Sequence, residues 1–218
     1  NKGKLDEAIE AYKKAVSLNP LHAKVYNNIG VVYKIQSKPD EASRAYNKAI
    51  SLDPQNAEAY YNFGILLQCQ GKLDEALEAC KKALSLYPNY AEAYNNLGVI
   101  LQDKGRLGEA VEAYKKSILL KPNYPDPYNN MSLALHNQDK IEEAIEVCRK
   151  SISLKPDYAE AHHNLSFILL RSGRFKEGLD GSEWRWKNPQ FSSMQKYRNF
   201  LQLQWDGIQS LHDKRILL

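Results

Sequence analysis

The chain is poor in cysteine and methionine, and it has no long apolar run. Only three of its 218 residues are Cys and two are Met. Cys69, Cys80 and Cys148 have the spacing of neither a disulfide framework nor a zinc site, so a reducing compartment is the simpler interpretation. No stretch of about 18 apolar residues predicts a transmembrane helix, and no signal peptide is recognisable. We therefore expect a cytoplasmic protein without a membrane partner.

An excess of positive charge is also missing from most of the chain. The net charge is +4, yet residues 1–170 hold 21 Lys and Arg against 21 Asp and Glu. The whole excess lies in residues 171–218, where an ordinary solvated surface explains it. A nucleic-acid-binding protein normally carries a basic stripe over its binding face. The composition therefore predicts no nucleic-acid partner.

Residues that could carry out catalysis or hold a metal ion are scattered along the sequence. His162 and His163 are adjacent, so on a helix their side chains point in different directions. No His, Cys or carboxylate cluster has ligand spacing, and no glycine-rich phosphate loop occurs. Within residues 1–190 no nucleophile is paired with a base. We expect no catalytic site, metal or cofactor in this chain.

What the sequence does contain is a period of 34 residues. Prolines recur at that step, at Pro20, Pro54, Pro88, Pro122 and Pro156. Small residues do so at Gly30, Gly64, Gly98, Ser132 and Ser166, and again at Ala8, Ala42, Ala76, Ala110, Ala144 and Gly178. Asparagines do so at Asn28, Asn62, Asn96, Asn130 and Asn164. A fixed period of this length indicates a solenoid built from repeated helical units.

Each unit contains two amphipathic segments, and the ends of the helices are marked. Gly71, Gly105 and Gly173 stand where the first helix of a unit must stop, the usual place for a left-handed residue. Ser37 and Asp139 take that place in two other units. The recurring proline then stops the second helix. The small residues predict close approach of the two helices, because a larger side chain would overpack the contact.

One unit, AEAYNNLGVILQDKGRLGEAVEAYKKSILLKP at residues 91–122, resembles the tetratricopeptide repeat throughout. The resemblance covers about residues 1–190. It implies an all-α fold, a right-handed superhelical solenoid of antiparallel helix pairs with a concave groove. Counting by the period predicts a half repeat at residues 1–20, holding only a second helix, and five full units at 21–54, 55–88, 89–122, 123–156 and 157–190. The half repeat exposes an apolar face, which either pairs with a neighbouring molecule or belongs to a frayed helix.

In this family the first helix of each unit lines the groove, which places the Asn row there. That row resembles the asparagine ladder of O-linked N-acetylglucosamine transferases, in which amides hold the backbone of an extended polypeptide. A carboxamide offers a donor and an acceptor, so it matches a peptide group in either direction. We expect the five amides to be largely without intramolecular partners. The alternative is that they bond within the stack and stabilise it.

Two further rows accompany the Asn row. The residues directly before it vary, as groove residues adapted to a ligand would: Asn27, Tyr61, Asn95, Asn129 and His163. Acidic residues form the other row: Glu58, Glu92, Asp126 and Glu160. These carboxylates either give the groove a negative edge or simply suit the start of a helix. The clamp of chaperone-binding members would need an Asn where this chain has Val31, Ile65, Val99, Leu133 and Phe167, so that subtype is excluded.

The repeat pattern breaks down towards the C-terminus. The string EWRWKNPQF, followed by QWDG and KRILL, resembles the junction of bacterial tetratricopeptide proteins with a glycosyltransferase domain like that of O-linked N-acetylglucosamine transferases. Residues 191–218 are therefore predicted to be a cap and the start of a downstream domain. Three hypotheses remain: a scaffold that binds an extended polypeptide in the groove, a substrate-presenting arm of a glycosyltransferase, and a self-associating scaffold.

Overall fold

The structure is a computed structural model that describes residues 2–182, and in that part every regular element is an α-helix. The helices are α1 Lys2–Leu18, α2 Ala23–Ile35, α3 Pro39–Leu52, α4 Ala57–Cys69, α5 Leu73–Leu86, α6 Ala91–Asp103, α7 Leu107–Leu120, α8 Pro125–His136, α9 Ile141–Leu154, α10 Ala159–Arg171 and α11 Phe175–Ser182. The predicted cap at 191–218 and the end of the fifth unit lie outside the described residues.

Each even-numbered helix pairs with the helix that follows it, from α2 with α3 to α10 with α11. Each odd-numbered helix also packs on the next even-numbered one, beginning with α1 on α2. In addition, successive even-numbered helices touch one another, whereas in the described part successive odd-numbered helices do not. The stack is therefore tighter on the side of α2, α4, α6, α8 and α10, which form its inner surface. The predicted all-α solenoid of helix pairs is confirmed.

Small residues on both helices of a pair bring the helices together. Ala42, Ala76, Ala110 and Ala144 have no exposed surface. A Cβ placed on Gly30 would lie 2.6 Å from Cε1 of Tyr46, so the buried tyrosine ring fills the space that glycine leaves open. The size of the residue on the second helix therefore sets how much room the first helix has, and that size differs between units.

Two cysteines stand where other units have the buried tyrosine. Cys80 and Cys148 replace Tyr46 and Tyr114 in the 34-residue register, and all four side chains are fully buried. Burial raises the pKa of the Cys80 thiol to about 12 and that of Cys148 to about 11. Both cysteines are therefore packing residues, and their thiols stay protonated at neutral pH. Cys69, by contrast, is exposed.

The turns between paired helices use the left-handed conformation. Gly71, Gly105 and Gly173 have φ between 72° and 81°. Ser37 at 57° and Asp139 at 60° adopt the same region, although residues with a side chain reach it at an energetic cost. These two positions therefore hold local strain that glycine would remove.

Asp139→Gly should raise the free energy of unfolding by about 0.5–1 kcal/mol, because the left-handed strain outweighs the extra chain entropy of glycine. Urea unfolding measures the change. Gln138→Gly is the matched control. Because Gln138 has no positive φ, glycine there relieves no strain and should lower the free energy of unfolding. An Asp139→Gly variant that is as unstable as Gln138→Gly would contradict the prediction.

No helix in the described part of the chain is both long and apolar enough to cross a membrane. Nor do the described residues bring three His, Cys, Asp or Glu side chains together as a metal site would require.

Candidate functional site

The inner surface carries a line of side-chain amides that bond from one repeat to the next. Nδ2 of Asn62 donates to Oδ1 of Asn27 at 3.1 Å. Nδ2 of Asn130 donates in the same way to Oδ1 of Asn95 at 3.1 Å. Nδ2 of Asn164 donates to Oδ1 of Asn129 at 2.9 Å. We call these six residues the amide ladder. Each rung joins two first helices, so the ladder fastens neighbouring repeats together.

The expectation that the Asn row is largely free of intramolecular partners is therefore wrong for Asn62, Asn130 and Asn164. The physical reason is the close approach of successive first helices on the inner side of the stack, which brings amides 35 residues apart within bonding distance. The ladder still leaves hydrogen-bonding groups free for a ligand, because each carboxamide has an acceptor oxygen in addition to its donor nitrogen. Within the described residues, Oδ1 of Asn62 and of Asn130 receives no donor.

Burial divides the predicted groove residues into two groups. Asn27 and Asn129 have no exposed surface, so their assignment as ligand-contacting residues is wrong. The cause is the same close approach, since both lie between two helices and accept a rung of the ladder. Asn96 and Asn164 are exposed by only 7% and 8%. The remaining predicted residues are half-buried: Asn28, Asn62, Asn130, Tyr61, Asn95 and His163.

Tyrosine rings and carboxylates form a second line beside the ladder. The rings of Tyr61 and Tyr90 lie 4.9 Å apart between centroids. We define the tyrosine–carboxylate strip by its eight members: Tyr61, Tyr90, Tyr124, Tyr158, Glu58, Glu92, Asp126 and Glu160. Each acidic member stands in the first turn of an even-numbered helix. This position suits the helix dipole. Glu92 and Asp126 also lie close enough to Tyr61 to raise its pKa.

The electrostatics of the strip follow from burial and the nearby carboxylates. Burial first, and then the charges of Glu92 and Asp126, raise the pKa of Tyr61 to about 12. Burial, and then the charge of Asp126, raise the pKa values of Tyr124 and Tyr158, both of which lie beside Asp126. Burial also raises the pKa of Tyr90. The four hydroxyl groups therefore remain protonated at neutral pH and can donate hydrogen bonds.

Two lysines of the chain already show how a cation sits on this strip. Nζ of Lys121 lies 2.6 Å from Oε1 of Glu92 and 5.0 Å from the ring centroid of Tyr124. Nζ of Lys155 lies 4.6 Å from the ring centroid of Tyr158. The hydrogen bond from Lys121 lowers the pKa of Glu92, which keeps that carboxylate ionised. The arrangement combines ion pairing with cation–π contact.

Three members of the strip were not predicted from the sequence. Tyr90, Tyr124 and Tyr158 were not among the predicted site residues, although they recur at the 34-residue step. The signal was therefore present as a periodic row of aromatic residues. This aromatic row belongs to the site because it lies near Asp126 and Tyr61, which occupy other positions of the repeat.

One family model and several solved structures match this chain. Residues 1–182 match the family model described as cilia and flagella-associated protein 70 C-terminal domain, a tetratricopeptide-repeat domain. No curated protein sequence matches the chain. The solved structure of MamA is similar, with 31% identity and a TM-score of 0.64, over 73% of this chain and 93% of that one.

Two other solved structures share the fold at lower identity. One is YrrB, described as a TPR protein with an unusual peptide-binding site, at 21% identity and a TM-score of 0.63, covering 87% of this chain and all of that chain. The other is PilF of Pseudomonas aeruginosa, at 21% identity and a TM-score of 0.72, covering 90% of this chain and 91% of that one. At these identities the likeness concerns the fold.

Proposed function

Since the chain belongs to the tetratricopeptide-repeat family described as cilia and flagella-associated protein 70 C-terminal domain, we propose that it is a protein-interaction scaffold that binds an extended polypeptide along its inner surface. The observation that carries this proposal is the pair of half-buried ladder amides, Asn62 and Asn130, whose oxygens remain available in the described residues. Repeat stacks expose one long continuous surface of this kind, which suits a partner without a compact shape. The solved YrrB structure, similar in fold, is itself described as having a peptide-binding site.

The amide ladder orients the side-chain oxygens of Asn62 and Asn130 for a ligand. Because Nδ2 of Asn62 and of Asn130 is fixed by a rung, each Oδ1 is held in one orientation without a donor in the described residues. An extended backbone presents N–H groups that such oxygens can accept. Each bond adds about 0.5–1.5 kcal/mol net, so affinity depends on several bonds in line.

An apolar row runs along the same helices and supplies contact area. It consists of Val31, Ile65, Val99, Leu133 and Phe167. The first four are half-buried, and Phe167 is 44% exposed. An extended segment directs alternate side chains to opposite sides. One set can therefore rest on this row while the backbone meets the amides.

Photo-crosslinking tests where the partner binds. A library of random peptides displayed on phage is selected on the whole chain, and an enriched peptide is synthesised. Benzoylphenylalanine placed at Val99, on the inner surface, should crosslink to that peptide. The same probe at exposed Glu112 on α7, in the outer layer, should not. Crosslinking at Glu112 alone, or the failure of any peptide to be enriched, would refute groove binding.

The two other hypotheses concern different parts of the chain. The predicted glycosyltransferase junction falls within residues 183–218, outside the described residues, and it stays a prediction. Self-association through the half repeat also stays a prediction. In the structure, Ile9 of α1 is buried in a cluster with Val25 and Ile29 of α2. Sedimentation equilibrium of the whole chain tests self-association directly.

A further inference from the structure

We infer that the tyrosine–carboxylate strip selects a basic polypeptide segment, one that carries Arg or Lys side chains at intervals along an extended backbone. This inference rests on the proposed function, because it names the chemistry of the partner that the inner surface would bind. The partner class is set by charge complementarity together with the aromatic surfaces between the carboxylates.

The carboxylates of the strip are largely unneutralised. They recur once per repeat on successive first helices, so their charges form a line along the stack. In the described part only Glu92 has an ion pair, to Lys121, while Asp126 and Glu160 have none. Glu58 accepts a hydrogen bond from Nδ2 of Asn27 at 3.2 Å, which leaves its charge in place. A segment with negative charge would be repelled here, and a positive one attracted.

The tyrosine rings make the strip more than a row of acidic side chains. Tyr61 and Tyr90 pack against each other, and Tyr124 and Tyr158 flank Asp126. Lys121 shows the contact that a ligand cation would make, since it touches a carboxylate and faces a ring at the same time. A guanidinium group fits such a site well, because it is planar, stacks on aromatic rings and bonds carboxylates in two places.

A buried donor without a partner gives independent support. Asn129 is equivalent to Asn27 in the 34-residue register, and both accept a ladder bond on Oδ1. Their amides are therefore oriented alike, with Nδ2 towards the strip. Nδ2 of Asn27 reaches Glu58, but Nδ2 of Asn129 finds no acceptor in the described residues, although the side chain is fully buried.

An unpaired buried donor is costly, so an acceptor position next to Asn129 is unfilled. Glu160 is the equivalent of Glu58 and stands in the same part of the strip. A cation bound at Glu160 can hold its carboxylate where an oxygen accepts the bond from Nδ2 of Asn129, as Glu58 does from Asn27. Binding at Asp126 and Glu160 then satisfies a group that the unbound chain leaves unsatisfied.

The test uses the whole chain and two labelled peptides of about 12 residues, about 40 Å when extended. One carries arginine at every third position, and the other carries citrulline there, which keeps the shape and removes the charge. Fluorescence anisotropy gives the dissociation constants. We expect the arginine peptide to bind at least about 10-fold more tightly, with an advantage that shrinks as salt is added.

Asp126→Asn should weaken the arginine peptide by about 3–10-fold and leave the citrulline peptide unchanged. Glu143→Gln is the matched control, since Glu143 is also a first-turn acid but lies exposed on α9, in the outer layer. It should change neither affinity. Circular dichroism melting verifies that both variants fold like the parent chain.

Equal affinity for the two peptides would overturn the inference while leaving groove binding intact. Equal losses in Asp126→Asn and Glu143→Gln would overturn it as well, since the attraction would then be non-specific. If neither peptide binds, selection for basic segments is refuted, and the crosslinking experiment decides separately on the groove.

Discussion

Replacing Gly98 with Ala will lower the free energy of unfolding by about 1–3 kcal/mol, although alanine is the better helix former. A Cβ at this position would lie against Cε1 of Tyr114 and only 2.6 Å from Cδ1. The ring is fully buried and cannot turn away without disturbing its neighbours. Urea unfolding of the variant, at constant m-value, measures the loss.

Gly64→Ala is the matched control in the neighbouring unit. There the residue opposite is Cys80, and the nearest atom to an added Cβ is the Ala76 carbonyl oxygen at 3.4 Å. We expect no loss, or a gain of up to about 1 kcal/mol from helix propensity. A double-mutant cycle of Gly98→Ala with Tyr114→Cys should then show a coupling of about 1–2 kcal/mol. Similar losses in Gly98→Ala and Gly64→Ala would contradict this account of the packing.

Ala76→Leu will also destabilise the chain, again by about 1–3 kcal/mol. Ala76 has no exposed surface, and the paired helix α4 passes so close that a Cβ on Gly64 would lie 3.4 Å from the carbonyl oxygen of Ala76. The added methyl groups have no space unless α4 and α5 separate. Thermal and urea unfolding measure the change.

Lys82→Leu controls for the leucine itself, because Lys82 is an exposed residue of the same helix. It should alter the free energy of unfolding by less than about 0.5 kcal/mol. If Ala76→Leu were tolerated as well as Lys82→Leu, the close contact between α4 and α5 would not be a main source of stability.

The architecture of the molecule could be read from the sequence because it depends on features local to each repeat. Recurring Pro and Gly residues mark the helix ends, and the buried Ala row marks the second helix at Ala42, Ala76, Ala110 and Ala144. A pattern repeated five times is also legible where single residues deviate, as with Cys80 and Cys148. The paired helices and their stacking followed from this periodicity, and the structure agrees.

The candidate site was only partly predictable, since it is formed between repeats. The sequence placed the Asn row on the first helix, but not the distance from one first helix to the next. That distance decides that Asn62 bonds to Asn27, and that Asn27 and Asn129 are buried between helices while Asn95 stays half-exposed.

The sequence by itself thus determined the repeat, its two helices and the residues that pack them, because helical periodicity and chain breakers act over a few residues. Only the tertiary structure decided which amides are buried and which rings meet which carboxylates. Those contacts join residues about one repeat apart, as in the pair of Tyr61 and Tyr90 or of Glu92 and Lys121. They depend on the angle and spacing between neighbouring repeats, which arise from the packing of whole helices and not from any single stretch of sequence.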